Sequence, residues 1–352
     1  MKKPVIAIDG PAASGKSTIA SAIAQHLNIP YINTGNLYRA VTWFAIKNGL
    51  KEDDFNDLTL IPLLKKMTLE YIPSPEGDYE LRVNGEFPGA ELRTAEIATL
   101  SSPLSAVPAV REWLLTLQRN FADSGMVAME GRDIGTVIFP DARYKFFLTA
   151  SPEERARRRL NQSGEICDGA TVESVAKEIA KRDLQDSTRA IAPLKQAEDA
   201  VRIDSDGLEI QQVVEKILDN MRYHYSYYRV PYADTDQMGV VYYANYLEYF
   251  ERSRTEMLRD AGLPYSQLEK SGFGLPVFEV NCRYSSPAHY DDLLTFRSMV
   301  SESRGSRLVI KTEVLRDDQL LVSGSVTLAC VNSEGRPCRI PPALAQVCPV
   351  IR

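Results

Sequence analysis

A chain of 352 residues exceeds the roughly 250–300 at which a single core stops growing, so two domains are expected. Its formal charge of −6 divides into −5 over residues 1–222 and −1 from residue 223 onward, and neither part has the basic excess that nucleic acid demands. No apolar run approaches the ~18 residues of a membrane span, and Cys167, Cys282, Cys330, Cys338 and Cys348 have no paired close spacing, which excludes a membrane protein and points to free thiols in the cytoplasm.

Val5-Ile6-Ala7-Ile8 reads as a buried strand running into Gly10-Pro11-Ala12-Ala13-Ser14-Gly15-Lys16-Ser17-Thr18. In that spacing the glycines turn backbone N–H groups inward around phosphate oxygens, and the helix starting near Lys16 points its positive end at the same anion. Lys16 is then expected to reach the β- and γ-phosphates of ATP and Ser17 to hold Mg2+. His26, His224 and His289 are too few and too scattered for a metal cluster and read as structural or surface groups.

Ile29 to Ile32 reads as a short strand, and Asn33-Thr34-Gly35-Asn36-Leu37-Tyr38-Arg39 leads into a helix ending near Asn48. Such a loop suits the phosphate of a second substrate; a helix cap with an exposed arginine is the plainer alternative. From about Leu69 to Thr94 the pattern alternates, and Asn84-Gly85 between Tyr79–Val83 and Glu86-Phe87 predicts a hairpin within a small β insert. Helical sequence resumes from Leu92 to Phe121, broken at Pro103 and Pro108. Met126 to Met129 forms a buried strand ending in Glu130-Gly131-Arg132-Asp133, where open α/β sheets bind ligands. After a strand at Lys145–Leu148, the helix Pro152–Leu160 carries Arg155, Arg157, Arg158 and Arg159, read as a mobile phosphate clamp for ATP against a solvated face. A strand at Ala200–Asp204 and a helix closing near Arg222 complete a P-loop NTPase-type α/β domain, a parallel sheet with helices on both faces.

Four ordered motifs now resemble the bacterial cytidylate kinases over residues 3 to 222: Ile8-Asp9-Gly10-Pro11, Thr34-Gly35-x-x-Tyr38-Arg39, Glu130-Gly131-Arg132-Asp133-Ile134-Gly135-Thr136 and Arg182-Asp183-x-x-Asp186-x-x-Arg189 through Leu194. The resemblance implies transfer of the ATP γ-phosphoryl group to CMP or dCMP. It implies that Ser102, Arg111 and Asp133 read cytosine, that Arg182 and Asp186 lie near the sugar hydroxyls, that Arg39, Arg132 and Arg189 bind phosphate, and that Thr34 and Tyr38 line the acceptor site. Lys16, Arg132 and Arg189 are the expected catalytic groups, since phosphoryl transfer needs positive charge and in-line positioning more than covalent help. Departures from the family pattern fall at Asn33 and Thr34 in place of Asp-Ser, at Glu130 in place of Asp, and in a short lid from Asn161 to Ala170.

From residue 223 a second domain begins almost without linker. Tyr223 to Tyr232 reads as a strand, a long amphipathic helix runs from about Asn245 to Ala261, and alternating segments follow near Leu275–Ser285, Leu293–Glu302, Arg307–Leu315 and Leu320–Asn332. Pro341 to Arg352 reads as a loose tail. One helix followed by an antiparallel meander predicts an α+β domain whose sheet wraps that helix. Asp234-Thr235-Asp236-x-x-Gly239-Val240-Val241-Tyr242-Tyr243-x-Asn245-Tyr246, with Tyr284-x-x-Pro287-Ala288-x-Tyr290-Asp291-Asp292, resembles the hotdog-fold acyl-CoA thioesterases of the 4-hydroxybenzoyl-CoA type. The resemblance makes Asp236 the catalytic carboxylate, near a helix N-terminus, places Tyr243 at the substrate, and implies a homodimer or higher homo-oligomer with coenzyme A near the subunit boundary. Turn and cap chemistry is the plainer reading of both aspartates. The leading expectation is a bifunctional enzyme; the alternatives are an active kinase bearing a non-catalytic acyl-CoA-binding or dimerisation module, and a nucleotide switch without transferase activity.

Overall fold

The computed structural model describes residues 3–73, 79–161, 171–189 and 191–351; Cys167, Ala190 and residues 162–170 of the expected lid lie outside that set. The chain forms two compact units, which divide between Val214 and Glu215.

In the first unit, β1 (Lys3–Asp9), β2 (Tyr31–Asn33), β5 (Val127–Gly131), β6 (Ala142–Thr149) and β7 (Val201–Asp204) form one sheet in the order β2-β5-β1-β6-β7, every neighbour parallel; β3 (Leu69–Pro73) and β4 (Tyr79–Val83) form a separate antiparallel pair. Val5 to Ile8 are wholly buried because helices cover both faces of a parallel sheet, so the central strand is apolar throughout and does not alternate. The helices are α1 (Lys16–Leu27), α2 (Thr34–Lys47), α3 (Asp57–Leu64), α4 (Ala95–Ser105), α5 (Pro108–Asn120), α6 (Pro152–Leu160) and α7 (Val172–Thr188), while α8 (Ile210–Arg222) spans the division between the units. Parallel register aligns Asp9 with Gly131 and Asn33 with Glu130, so the loops after β1, β2 and β5 open at one carboxyl edge.

The β insert differs in detail from the expectation. Asn84 and Gly85, at φ 50° and 80°, do make a tight turn, with Val83 and Glu86 exchanging backbone hydrogen bonds of 2.8 and 2.9 Å. Yet Glu86-Phe87 is no strand beyond that one bridge, because Pro88 follows and the chain enters a short helical turn at Gly89–Arg93; the true partner of β4 is β3.

The second unit is built on β8 (His224–Arg229), α9 (Asn245–Asp260), α10 (Tyr265–Lys270), β9 (Phe273–Gly274), β10 (Val277–Tyr284), β11 (Leu293–Arg304), β12 (Arg307–Arg316), β13 (Gln319–Ala329), β14 (Val331–Asn332) and α11 (Pro342–Val347). Its main sheet runs β10-β13-β12-β11-β8, every neighbour antiparallel, and buries the Tyr249, Phe250, Met257 and Leu258 face of α9, which is a hotdog architecture. Gly324 on β13 makes that contact possible: a Cβ there would lie 2.5 Å from the Phe250 ring and 2.6 Å from the Asn281 carbonyl oxygen. The residues after Pro341 do not form a loose tail. Leu344, Val347, Cys348 and Ile351 are buried, the first three in the main core of this unit, because the apolar side of α11 needs cover. Cys330 and Cys338 also lie closer than their spacing suggests, with sulfurs 3.7 Å apart, because the chain turns back between Val331 and Pro337.

Candidate functional site

The loop from Gly10 to Gly15 carries backbone conformations that few side chains allow. Gly10 sits at φ 154° where a Cβ would meet the Leu148 carbonyl oxygen at 2.1 Å, so only glycine lets β1 turn here against β6. Lys16 is buried beneath the loop, donating to Pro11 O at 2.5 Å and Ser14 Oγ at 3.4 Å. Burial, and after it the nearby Arg132, pushes its pKa down to about 7. Three further groups brace the loop. Asp183 on α7 accepts from Ala12 N at 3.1 Å and pairs with Arg155, which in turn donates to Ala12 O at 3.0 Å and Ala150 O at 3.1 Å. Asp9, at the end of β1, accepts from Ile134 N at 2.8 Å and Gly135 N at 2.7 Å, tying the phosphate loop to the segment after β5; burial lifts its pKa to about 6.

Beside Lys16, the Ser17 hydroxyl donates to Glu130 Oε1 at 2.6 Å, and the same oxygen accepts from Asn33 Nδ2 at 2.7 Å and Tyr31 OH at 3.0 Å. A hydroxyl and a buried carboxylate at the mouth of a phosphate loop are the hard oxygen donors that Mg2+ takes, so these residues fit the ion expected with ATP.

On the acceptor side, Arg111 donates to Asp133 Oδ2 at 2.7 Å, and Arg189 lies 3.6 Å from the same oxygen. Burial raises the Asp133 pKa while the two arginines oppose the rise. Tyr38 lies under the Arg111 guanidinium, 5.8 Å from centroid to carbon, and Thr34 Oγ1 donates to Glu130 O at 2.8 Å. Arg132 Nε donates to Asp186 Oδ2 at 2.8 Å. The Arg182 pKa is pushed down, first by loss of solvent and then by Arg132, with Arg159 and Arg39 adding to it. Arg132 thus bears on both Arg182 and Lys16, and cations gathered this closely at the carboxyl edge of a sheet suit an anion.

In the second unit, Asp234 accepts from Tyr249 OH at 2.7 Å and Tyr228 OH at 3.2 Å, and its backbone oxygen accepts from Tyr242 N and Asn245 Nδ2, both at 2.9 Å. Asp236 is partly exposed in a tight turn, where Oδ1 accepts from Met238 N at 2.8 Å. That turn meets the Pro287–Asp292 loop through a Val241 N to Ala288 O bond of 2.8 Å, so the two separated motifs lie together. Tyr243 is exposed beside Tyr242 and Tyr284, and its carbonyl accepts from Tyr284 OH at 3.1 Å.

Residues 6–223 match the cytidylate kinase family model, well over half of the chain. The chain belongs to the cytidylate kinase family. A cytidylate kinase of Streptococcus pneumoniae (strain 70585) is 46% identical over 219 residues, 62% of this chain and 96% of that protein. A bifunctional pantoate ligase/cytidylate kinase of Prochlorococcus marinus (strain MIT 9303) is 41% identical over 225 residues; the chain spans 45% of its length. Residues 230–347 match the thioesterase-like superfamily. A probable thioesterase from Bartonella henselae of known structure is 40% identical, covering 34% of this chain and 99% of that one, with a TM-score of 0.33.

In this cytidylate kinase-family chain, Lys16, Ser17, Thr34, Tyr38, Arg39, Arg111, Arg132, Asp133, Arg182, Asp186 and Arg189 all fall at the carboxyl edge of the first sheet or on helices bordering it. Ser102 is exposed on α4, and its carbonyl accepts from Ser105 Oγ at 2.8 Å. Arg155 and Arg158, expected as mobile clamps, are both engaged here. Arg155 is a buried strut behind Ala12; Arg158 donates to Ser205 Oγ and O at 2.9 and 2.7 Å and to Glu154 at 2.9 Å, with Nη1 3.7 Å from where a Gly15 Cβ would stand. The helix expected beside Asp236, α9, begins at Asn245, nine residues along the chain, and the described bond of the carboxylate is from Met238 N in its own turn. Asp9, Glu130, Asp183 and Asp234 were not singled out for these bracing roles, although each is a charged residue inside a motif, which is the signal that could have marked them. Among the described residues no cluster of three or more His, Cys, Asp or Glu could hold a metal, and no helix is long and apolar enough to cross a membrane.

Proposed function

We propose that the first unit transfers the γ-phosphoryl group of ATP to CMP or dCMP and that the second hydrolyses an acyl-CoA thioester, in the cytoplasm. The kinase reading rests most on one observation: Asp133, gripped by Arg111 at 2.7 Å, directly follows Arg132, which pairs with Asp186 and adds to the fall that burial imposes on the Lys16 pKa. Backbone N–H groups from Ala13 through Thr18 cradle the triphosphate, and Lys16 leaves the Pro11 carbonyl for its β- and γ-oxygens. Mg2+, held through Ser17 and Glu130, neutralises charge on those oxygens when bound. Arg39, Arg132 and Arg189 hold the acceptor phosphate in line, where bidentate forks suit it better than lysines would. Arg182 and Asp186 take the sugar, and Asp133 accepts from the cytosine amino group, which uracil lacks. Incubating the full chain with ATP, Mg2+ and each of CMP, dCMP and UMP should consume ATP with the first two and far less with UMP. Inactivity on all three overturns the reading.

For the second unit, support comes from the superfamily match over residues 230–347 and from the partly exposed Asp236, whose turn meets the Pro287–Asp292 loop. Hydrolysis across a panel of acyl-CoA esters, abolished by Asp236→Ala, is the expected result. A second reading is favoured by the bond from Met238 N, which gives Asp236 a turn-forming role. It makes this unit a non-catalytic acyl-CoA-binding or dimerisation module, and a purified chain with no hydrolysis on the panel would decide for it. In either case a homodimer is proposed, since the edge strand β10 exposes Val277, Phe278 and Val280. Sedimentation at the monomer mass would exclude it.

A further inference from the structure

Among the described residues, the α5 side of the Asp133 pocket holds a buried amide that no step above uses. A cavity of about 290 Å3 is lined by Tyr38, Arg111, Leu115, Gln118, Asp133 and Ile191 among others, close to the lower end of the range that small ligands occupy. Arg111, Leu115 and Gln118 are spaced by four and three residues, so they form one stripe along α5 facing the cavity. Gln118 is 1% exposed, and its Oε1 is buried with no hydrogen-bond partner among the described residues. Buried amide oxygens in folded proteins almost always have partners, because an unpaired one keeps the full loss of its hydration. Nor can this one escape by a shift of its helix. The next residue, Arg119, donates to Ile138 O at 3.0 Å and Val137 O at 3.2 Å, fastening α5 to the turn that follows Asp133. Leu115, Val137 and Ile191 in the same wall offer no donor.

We propose that Gln118 reads the exocyclic amino group of the acceptor base, as a further specificity-determining contact beside Asp133. The inference rests on the kinase reading and deepens it. An aromatic amino group has two N–H donors, and one carboxylate ordinarily takes one of them. A second acceptor, Gln118 Oε1, closed to solvent in the free protein and turned into the cavity about its side-chain torsions, completes the pair and acquires the partner it lacks. A base with a carbonyl at that position would present an acceptor to the Asp133 carboxylate, and that mismatch excludes uracil; the Gln118 amide adds to the hold on the amino group.

The test uses the full chain and its Gln118→Met variant, which keeps the side-chain length without the amide. The substrates are CMP and its 4-deamino analogue, the pyrimidin-2-one ribonucleotide. In the wild type CMP is preferred over the analogue. In Gln118→Met that preference should shrink about three- to tenfold, the usual value of one neutral hydrogen bond, with the loss in KM for CMP and the analogue unchanged. The ligand-free variant should melt at or above the wild-type temperature, since an unpaired buried oxygen has been removed. Equal losses on both nucleotides, or a lower melting temperature with the preference intact, would make Gln118 structural and overturn the proposal. Calorimetric titration of the two nucleotides reads the same preference without turnover. A chain that binds CMP with this preference but phosphorylates nothing would refute the kinase reading alone, and one that binds neither nucleotide refutes both.

Discussion

Lys16 should make nucleotide binding consume a proton. In the free unit its ammonium is buried, donates to Pro11 O and Ser14 Oγ, and has a pKa lowered from 10.5 to about 7, first by burial and then by Arg132. Polyphosphate brings opposite charge to the same place and restores the ammonium toward its ordinary range. From a free-state pKa of about 7, roughly nine-tenths of Lys16 is protonated at pH 6, half at pH 7 and a tenth at pH 8. Binding should therefore take up ~0.1, ~0.5 and ~0.9 proton at those three values, and affinity should fall towards tenfold per pH unit above about 8. Calorimetric titration with a non-hydrolysable ATP analogue and Mg2+, repeated in buffers of different ionisation enthalpy, measures the uptake directly. Lys16→Met serves to subtract protons that belong to the nucleotide. Uptake that fails to rise from pH 6 to pH 8, or that survives in Lys16→Met, would refute the linkage.

Asp183→Asn leaves the buried Arg155 without its counter-charge behind the phosphate loop, so urea unfolding should report a loss of about 3 kcal/mol or more, with a raised KM for ATP. Gly324→Ala drives a methyl group into the Phe250 ring and the Asn281 carbonyl; overpacking of this kind costs about 1–3 kcal/mol, and unfolding of the second unit at wild-type denaturant concentration would contradict it. Asp9 has a folded pKa of about 6 against 3.8, so the folded state holds the proton more tightly. Its contribution is fully present below pH ~4 and is lost as pH rises through ~6, up to about 3 kcal/mol. Stability measured at pH 4.5 and 6.5 should show that slope in the wild type and not in Asp9→Asn.

The order of elements was legible along most of the chain because its signals are local. Val5–Ile8 followed by Gly10-x4-Gly15-Lys16 determines a strand, a phosphate-binding turn and a helix from backbone requirements alone; of the apolar positions read on α9, Phe250 and Met257 do face the sheet, whereas Leu247 is exposed and Tyr249 takes its place in the core. Where the reading missed, it lacked neighbours. Pro88 cut short the strand expected at Glu86-Phe87, and the apolar side of α11 found cover in a core that no stretch near Pro341 reveals.

Charge, by contrast, was decided only in three dimensions. The arginines of α6 looked alike in sequence, yet one became a buried strut because Asp183, on the next helix, stands opposite it, while another was drawn to Ser205. Sequence alone determined that a triphosphate loop, a group of arginines and an Asp-x-Asp turn exist in this protein. Which carboxylate holds which cation, and which amide is left without a partner, depended on the register of a parallel sheet that brings residues more than a hundred positions apart within hydrogen-bonding distance. A residue's partners follow from distance in space, and the sequence records only distance along the chain.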